Sequence, residues 1–163
     1  MKIALMMENS QANKNAIILK ELNAVADEKG FPVYNVGMSD ENDHHLTYIH
    51  LGIMASILLN SKAVDFVVTG CGTGQGALMS LNIHPGVVCG YCIDPADAFL
   101  FAQINNGNAL SLPFAKGFFS YLRFDASSPI FLFSSRMNRS DSLFFAYFTT
   151  SRPFLDTLTP LNS

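Results

Sequence analysis

A cysteine and a threonine lie inside a glycine-rich run near the middle of the chain, and both side chains can take part in chemistry. Cys71 and Thr73 alternate with glycines at positions 70, 72, 74 and 76. Glycine lets the backbone approach a ligand closely, and successive amides beside a helix N-terminus form a concavity that binds anions. A thiol inside such a concavity can act as a base or a nucleophile, so the run is a candidate active site.

The segments on either side of this glycine loop predict how the chain positions it. An apolar stretch at 63–68 precedes the loop and predicts a strand, and an apolar segment at 77–81 follows it and predicts a helix. Open α/β sheets bind ligands at the carboxyl ends of their strands, which favours a binding role. The alternative is that the loop only turns the chain and that Cys71 packs as a small hydrophobic side chain.

Strand and helix signals alternate along the first two thirds of the chain. Further strands are predicted at 2–6, 31–36, 87–91 and 109–112, and helices at about 12–29, 47–60 and 94–104. Connections this long imply right-handed crossovers between parallel strands. The pattern predicts a three-layer α/β/α fold with a doubly wound, five-stranded parallel sheet of the Rossmann-like kind.

Composition and charge indicate which partners, which oligomeric state and which cellular location to expect. The chain has 163 residues with a net charge of −3 and no basic run, which argues against nucleic acid. With 49% hydrophobic and only 14% charged residues, we expect a globular chain whose apolar surface is buried in a homodimer or homotetramer. No apolar run is long enough for a signal peptide or a membrane span, and the three cysteines are an odd number, so we expect a cytoplasmic protein.

Two further groups of residues could bind metal, but neither has the spacing of a metal site. Acidic residues and histidines cluster irregularly at 37–45, which favours a solvated loop. Cys89 and Cys92 have a C-x2-C spacing without a second pair, and packing is the better interpretation of Cys89 because it belongs to an apolar strand. We therefore expect no metal and no cofactor.

The chain changes character near residue 117. All eleven glycines and all six lysines lie at or before that position, whereas nine of the fourteen phenylalanines follow it. We expect an α/β domain at 1–117 and an atypical Phe- and Ser-rich tail at 118–163. Two hypotheses account for the tail: an out-of-frame segment, or an oligomerisation arm that packs on a partner subunit.

The residues at 1–117 resemble the type B ribose-5-phosphate isomerases and galactose-6-phosphate isomerases. The loop at 70–76 is similar to the family's Cys-Gly-Thr-Gly-x-Gly signature, and His50 precedes Cys71 by 21 residues, like a histidine of the family. The segment at 86–91 resembles the family's next strand, and that at 105–108 its polar turn. The resemblance implies a family that isomerises pentose or hexose phosphates through an enediolate without a cofactor.

The resemblance also implies roles for the loop residues. Cys71 would be the catalytic base, acting as a thiolate. Thr73 and the amides of Gly72, Gly74 and Gly76 would hold the enediolate oxygen, whose developing charge needs donors in a site from which water is excluded.

The resemblance also implies a set of substrate-binding residues outside the glycine loop, and this chain departs from the family at residues 8, 9 and 104. Glu8 and Asn9 stand where the family has Asp-His, and His50 and Asn105 complete the set, Asn105 reaching the sugar across a dimer interface. Ile104 occupies the position of the family's ring-opening histidine. Either another group opens the ring, or the substrate is acyclic, or the protein binds sugar phosphates or other anions without catalysis.

A nucleotide-binding module is the remaining alternative. Gly72, Gly74 and Ala77 fit the loose form of the dinucleotide fingerprint, with Asp94 as its ribose-binding acid. That motif alone is weak, and its loop normally follows the first strand rather than the third. The sequence around Asp94 also favours a helix cap, because a proline follows it directly.

Overall fold

The computed structural model of the chain describes residues 1–43 and 45–115. The tail predicted at 118–163 lies outside the described residues, as does His44 of the polar loop. The division of the chain at residue 117 and both hypotheses about the tail therefore stay predictions.

The described residues contain five strands in one sheet, all of them parallel. The strands are β1 Ile3–Met6, β2 Val33–Asn35, β3 Phe66–Cys71, β4 Cys89–Tyr91 and β5 Ala109–Pro113, in the order β2-β1-β3-β5-β4. Every pair of neighbours runs in the same direction. The predicted parallel sheet is confirmed, and its longest strand, the fully buried β3, lies at its centre.

Four α-helices connect the strands, and a short 3-10 helix precedes the first. The 3-10 helix covers Asn9–Lys14, and the α-helices are α1 Asn15–Asp27, α2 Tyr48–Asn60, α3 Gln75–Asn82 and α4 Pro95–Asn105. The first helix therefore begins later than predicted, because the Glu8 side chain accepts the Ser10 amide and starts a 3-10 turn. None of the helices in the described part of the chain has the length and apolar character needed to span a membrane.

Alternate residues of the strands pack on opposite faces of the sheet, which gives the three predicted layers. Ile3 and Leu5 face a core shared with Ile18 and Leu22 of α1 and with Ala98 of α4. On the other face, a second core joins strand and helix residues: Ala4, Met6 and Val67 of the sheet, Leu51 and Ala55 of α2, and Leu81 of α3.

The order of the strands places the glycine loop at the point where the chain changes direction across the sheet. The chain passes from β1 to β2 on one side and returns to β3 on the other side of β1. The carboxyl ends of β1 and β3 therefore lie side by side, with Met6 opposite Thr69. A crevice at this switch point is where open α/β sheets bind ligands. We call this edge of the sheet the carboxyl edge.

The contact between α2 and α3 requires a glycine at position 52. A Cβ on Gly52 would lie 2.5 Å from the backbone oxygen of Ser80, inside van der Waals contact. We expect Gly52→Ala to lower the free energy of unfolding by about 2–3 kcal/mol, despite the better helix propensity of alanine. Gly30→Ala is the matched control: its φ is +65° but nothing lies near its Cβ, so the loss should be about 1 kcal/mol. Urea unfolding measures both, and equal losses would contradict the close contact.

Candidate functional site

The glycine loop begins at the last residue of β3. Cys71 ends that strand and is only 6% exposed, whereas the Thr73 side chain is exposed. Gly74 forms the N-cap of α3 in a left-handed conformation with φ of +76°, which a residue with a side chain rarely adopts. Its missing side chain also leaves room for the Tyr91 ring, which a Cβ would approach to 2.7 Å.

Hydrogen bonds from β5 and the turn after it hold both ends of the loop. The Ser111 hydroxyl donates to the Gly74 carbonyl at 2.6 Å. The Phe114 amide donates to the Cys71 carbonyl at 3.0 Å, and the Ala115 amide donates to the Gly72 carbonyl at 2.8 Å. The carbonyl groups of Cys71, Gly72 and Gly74 are therefore occupied by hydrogen bonds from β5 and the turn that follows it.

The loop leaves donors available. Within residues 1–43 and 45–115, the amides of Thr73 and Gly74 have no hydrogen-bond acceptor. Thr73 Oγ1 accepts the Gln75 amide at 3.4 Å, and its hydroxyl hydrogen can still donate. Together with the N-terminus of α3, these groups form a surface that favours a negatively charged oxygen.

Glu8 and Asn9 follow β1, directly beside the end of β3. Glu8 is 2% exposed, and its carboxylate accepts hydrogen bonds from the Ser10 amide and hydroxyl. Asn9 donates its backbone amide to the Leu46 carbonyl at 2.7 Å, and its side-chain Nδ2 lies 3.3 Å from His45 Nε2. The structure therefore brings this pair to the carboxyl edge, in a turn stabilised by its own side chains.

Gln11 and Lys14, which the sequence did not single out, also lie beside the loop. Gln11 Nε2 lies 3.7 Å from the position that a Cβ on Gly72 would take. Lys14 Nζ donates to Gln11 Oε1 and to the Phe114 carbonyl, each at 2.6 Å. Their place directly after a buried strand was the available signal, because such residues lie at the carboxyl edge.

His50 lies in the first turn of α2, which also begins at the carboxyl edge. Its Nδ1 accepts the Thr47 amide at 3.0 Å, so the ring closes the N-terminus of the helix. Two residues earlier, the ring of Tyr48 contacts the start of α3, 3.1 Å from the position of a Cβ on Gly76. His50 thus has a structural partner at an exposed position near the loop.

Ile104 and Asn105 lie at the opposite edge. Both are exposed at the end of α4, which starts near the carboxyl end of β4 and runs back toward the start of β5. Within one chain the structure does not bring Asn105 to Cys71. A contact between the two requires a second copy of the chain, as the resemblance implies.

Cys89 and Cys92 are buried thiols that lie outside the glycine loop. Burial, followed by the proximity of Cys92, raises the pKa of the Cys89 thiol far above its usual range. Burial also raises the pKa of Cys92 to about 12, and the carboxylates of Asp97 and Asp94 add to the effect. Both thiols therefore stay protonated and unreactive near neutral pH.

Asp94 caps a helix, as its sequence context predicted. Its side chain accepts the Asp97 amide at 3.0 Å at the start of α4. A carboxylate engaged in this way satisfies an otherwise unpaired helix donor. This removes the acidic group on which the nucleotide-binding alternative relied.

Comparison with known proteins shows the family. The model of the Ribose/Galactose Isomerase family matches residues 3–117, and the chain belongs to this family of sugar-phosphate isomerases. The comparison with curated proteins gave no match.

Two solved structures resemble the chain at substantial identity. A ribose-5-phosphate isomerase LacAB_rpiB from Vibrio parahaemolyticus is 56% identical, with a TM-score of 0.74; the match covers 99% of this chain and 83% of that one. A 4-deoxy-L-threo-5-hexosulose-uronate ketol-isomerase complexed with a tartrate is 46% identical, with a TM-score of 0.71, covering 97% of this chain and 70% of that one. A ribose 5-phosphate isomerase from Thermotoga maritima, 23% identical with a TM-score of 0.59 and covering 98% of this chain and 87% of that one, shows the fold alone.

The surroundings of the cysteines predict the order in which they react. With a pKa of about 12, Cys92 is a thiolate in about one molecule in ten thousand at pH 8. We expect iodoacetamide to modify Cys71 first, with Cys89 and Cys92 unmodified on the same time scale. Peptide mass spectrometry after timed quenching measures this order. In Cys71→Ala the first modification should disappear, and fast labelling of Cys92 in that variant would contradict the prediction.

Proposed function

We propose that this protein catalyses an aldose–ketose isomerisation through an enediolate, with Cys71 as the base. The observation that carries the proposal is the position of Cys71, at the end of β3 beside unpaired amides and at the switch point of the sheet. A thiolate there removes the proton from the carbon next to the substrate carbonyl. The proton then returns to the neighbouring carbon, while the hydroxyl proton passes from one enediolate oxygen to the other. Atoms and electrons therefore balance within the substrate, and the reaction needs no external oxidant or reductant.

The loop supplies the donors that the intermediate needs. The hydroxyl of Thr73 and the amides of Gly72, Gly74 and Gly76 would stabilise the charge that develops on the enediolate oxygen. Glu8, Asn9 and His50 would contact the remaining sugar hydroxyls, since all three lie at the carboxyl edge. The proposed setting is the cytoplasm.

The first candidate substrate is a pentose or hexose phosphate, as for the family as a whole. An open-chain uronate is the second, and two observations favour it. Ile104 cannot transfer a proton to open a sugar ring, and a protein 46% identical to this chain carries the name of an uronate ketol-isomerase. Both substrates are anionic sugars, and the same base and oxyanion donors would serve either.

A homodimer or homotetramer is part of the proposal. Five apolar side chains of α2, of α3 and of the residue directly after α3 are between 48% and 75% exposed: Ile49, Ile53, Ile57, Met79 and Ile83. A helix that is apolar on its outer face as well as its inner one is typical of a buried helix. A second copy covering this face, which borders the loop through Tyr48, would remove the side chains from water.

Substitution of Cys71 tests the proposed reaction. We expect the protein to exchange the proton next to the carbonyl in deuterated water, fastest with substrates that stay open-chain. Cys71→Ala should lower the rate at least about a thousandfold, because no other group takes the proton. Cys71→Ser should retain little activity, since a hydroxyl is a far weaker acid. NMR on a panel of pentose phosphates, hexose phosphates and uronates measures the rates.

The panel also separates the alternatives. Exchange that survives in Cys71→Ala would assign the base elsewhere, with Glu8 as the next candidate. Absence of exchange with every compound, together with ligand-dependent thermal stabilisation, would leave a non-catalytic sugar-phosphate or anion-binding protein.

Mixed oligomers test whether Asn105 acts across a subunit interface. Cys71→Ala and Asn105→Ala should each be inactive alone. In co-expressed dimers, about a quarter of the wild-type activity should return, because half of the dimers are mixed and each has one intact site. A mixture of Cys71→Ala with Cys71→Ser is the control and should recover nothing. No recovery, or a monomer by light scattering, would contradict the shared site.

A further inference from the structure

A continuous series of hydrogen bonds runs through the 3-10 helix and joins Glu8 to Lys14. Ser10 donates its amide and hydroxyl to the Glu8 carboxylate. Gln11 Nε2 donates to Ser10 Oγ at 3.3 Å, and Lys14 Nζ donates to Gln11 Oε1 at 2.6 Å. The series therefore runs from a cation to an anion through one carboxamide.

The two ends of the series fix the orientation of that carboxamide. A lysine ammonium can only donate hydrogen bonds, and a carboxylate can only accept them. The oxygen of Gln11 must therefore face Lys14, and its NH₂ group must face Ser10. The hydroxyl of Ser10 is directed at Glu8, so Ser10 Oγ can accept from Gln11 but cannot also donate to it.

The fixed orientation directs the NH₂ group toward the glycine loop. A Cβ on Gly72 would lie 3.7 Å from Gln11 Nε2 and 3.6 Å from Ala115 Cβ, both ordinary contact distances. The missing side chain of Gly72 thus leaves an open space next to Cys71, bounded on one side by Gln11. Gln11 is only 9% exposed, and the second hydrogen of its Nε2 has no acceptor among the described residues.

Lys14 affects the position and the donor strength of Gln11 through two hydrogen bonds. Its charge-assisted bond to Gln11 Oε1 polarises the carboxamide and strengthens the N–H groups as donors. Its second bond, to the Phe114 carbonyl at 2.6 Å, attaches it to the residue whose amide holds the Cys71 carbonyl. Lys14 therefore fixes both the orientation of Gln11 and its distance from the loop.

We propose that Gln11 is a substrate-binding residue whose Nε2 donates to a carbonyl or carboxylate oxygen of the bound sugar, and that Lys14 is a positioning residue that acts through Gln11. The inference rests on the proposed isomerase function and assigns a further contact in the same site. Because the oxygen of Gln11 is occupied, the group offers a donor and no acceptor. It selects substrates with an acceptor oxygen at this point.

Tartrate, an open-chain hydroxy dicarboxylate, is the probe for the test. We expect Gln11→Met to weaken tartrate binding about tenfold, the loss of about 1.4 kcal/mol typical of one hydrogen bond to a charged group. Gln11→Glu keeps the length of the side chain and a partner for Lys14 but replaces the NH₂ donor with a charged oxygen that repels tartrate. It should therefore weaken binding at least as much. Calorimetry gives the Kd, and thermal unfolding without ligand shows whether each variant folds.

A control variant and a double variant distinguish the positioning role of Lys14 from a general effect of its positive charge on tartrate binding. Lys14→Met should weaken tartrate binding several-fold, whereas Lys20→Met, which removes the same charge from an exposed position of α1, should bind like the wild type. In the Gln11→Met background, Lys14→Met should have no further effect, because its action passes through Gln11. For the substrate found by proton exchange, Gln11→Met and Lys14→Met should both raise KM, and the double variant should match Gln11→Met.

Three results would overturn the inference: wild-type affinity for tartrate in both Gln11→Met and Gln11→Glu, an equal effect of Lys14→Met with and without Gln11, or a wild-type protein that binds neither tartrate nor any sugar of the panel. Failure of the isomerase proposal gives a different result. In that case no sugar exchanges its proton, while the differences in tartrate affinity between the variants remain and support Gln11 as a binding residue.

Discussion

Two backbone hydrogen bonds behind the glycine loop determine the geometry of the site. Phe114 and Ala115 donate to the carbonyls of Cys71 and Gly72, continuing the pairing in which Cys71 of β3 lies opposite Pro113 of β5. The loop is therefore an extension of the sheet at its base and turns away only at Gly74. Because the sheet holds the carbonyls, the amides can face outward unpaired, and folding rather than substrate binding supplies their orientation.

The sequence predicted the sheet and the loop because both depend on local signals. An apolar run followed by alternating glycines defines the end of β3 without knowledge of any distant residue. For Gln11, the local signal gives the position at the carboxyl edge but not the orientation of the side chain. Its orientation depends on a 3-10 turn started by Glu8, which hydrophobic periodicity does not distinguish from the start of an α-helix. It also depends on Lys14, whose bond to Phe114 joins residues 100 positions apart.

Asn105 shows a different limit of prediction from the sequence. Its motif resembled that of the family, but the fold places it far from the loop in its own chain. A helix that follows a strand returns along the sheet in the opposite direction. The last residue of α4 therefore lies at the edge opposite the carboxyl edge, which we call the amino edge. The topology of one chain thus keeps Asn105 away from Cys71, and only the proposed second copy of the chain would bring the two together.

The proposed chemistry divides between these two edges of the fold. Proton transfer and charge stabilisation need the base, the amides and Gln11, all of which one chain holds at the carboxyl edge. Ring opening is a separate step, and its expected position, Ile104, lies at the amino edge as a 73% exposed apolar side chain. Within one chain, no described contact links Ile104 to the glycine loop. In the proposed mechanism Ile104 therefore bears on which form of the sugar is accepted, and the loop residues bear on whether the proton moves at all.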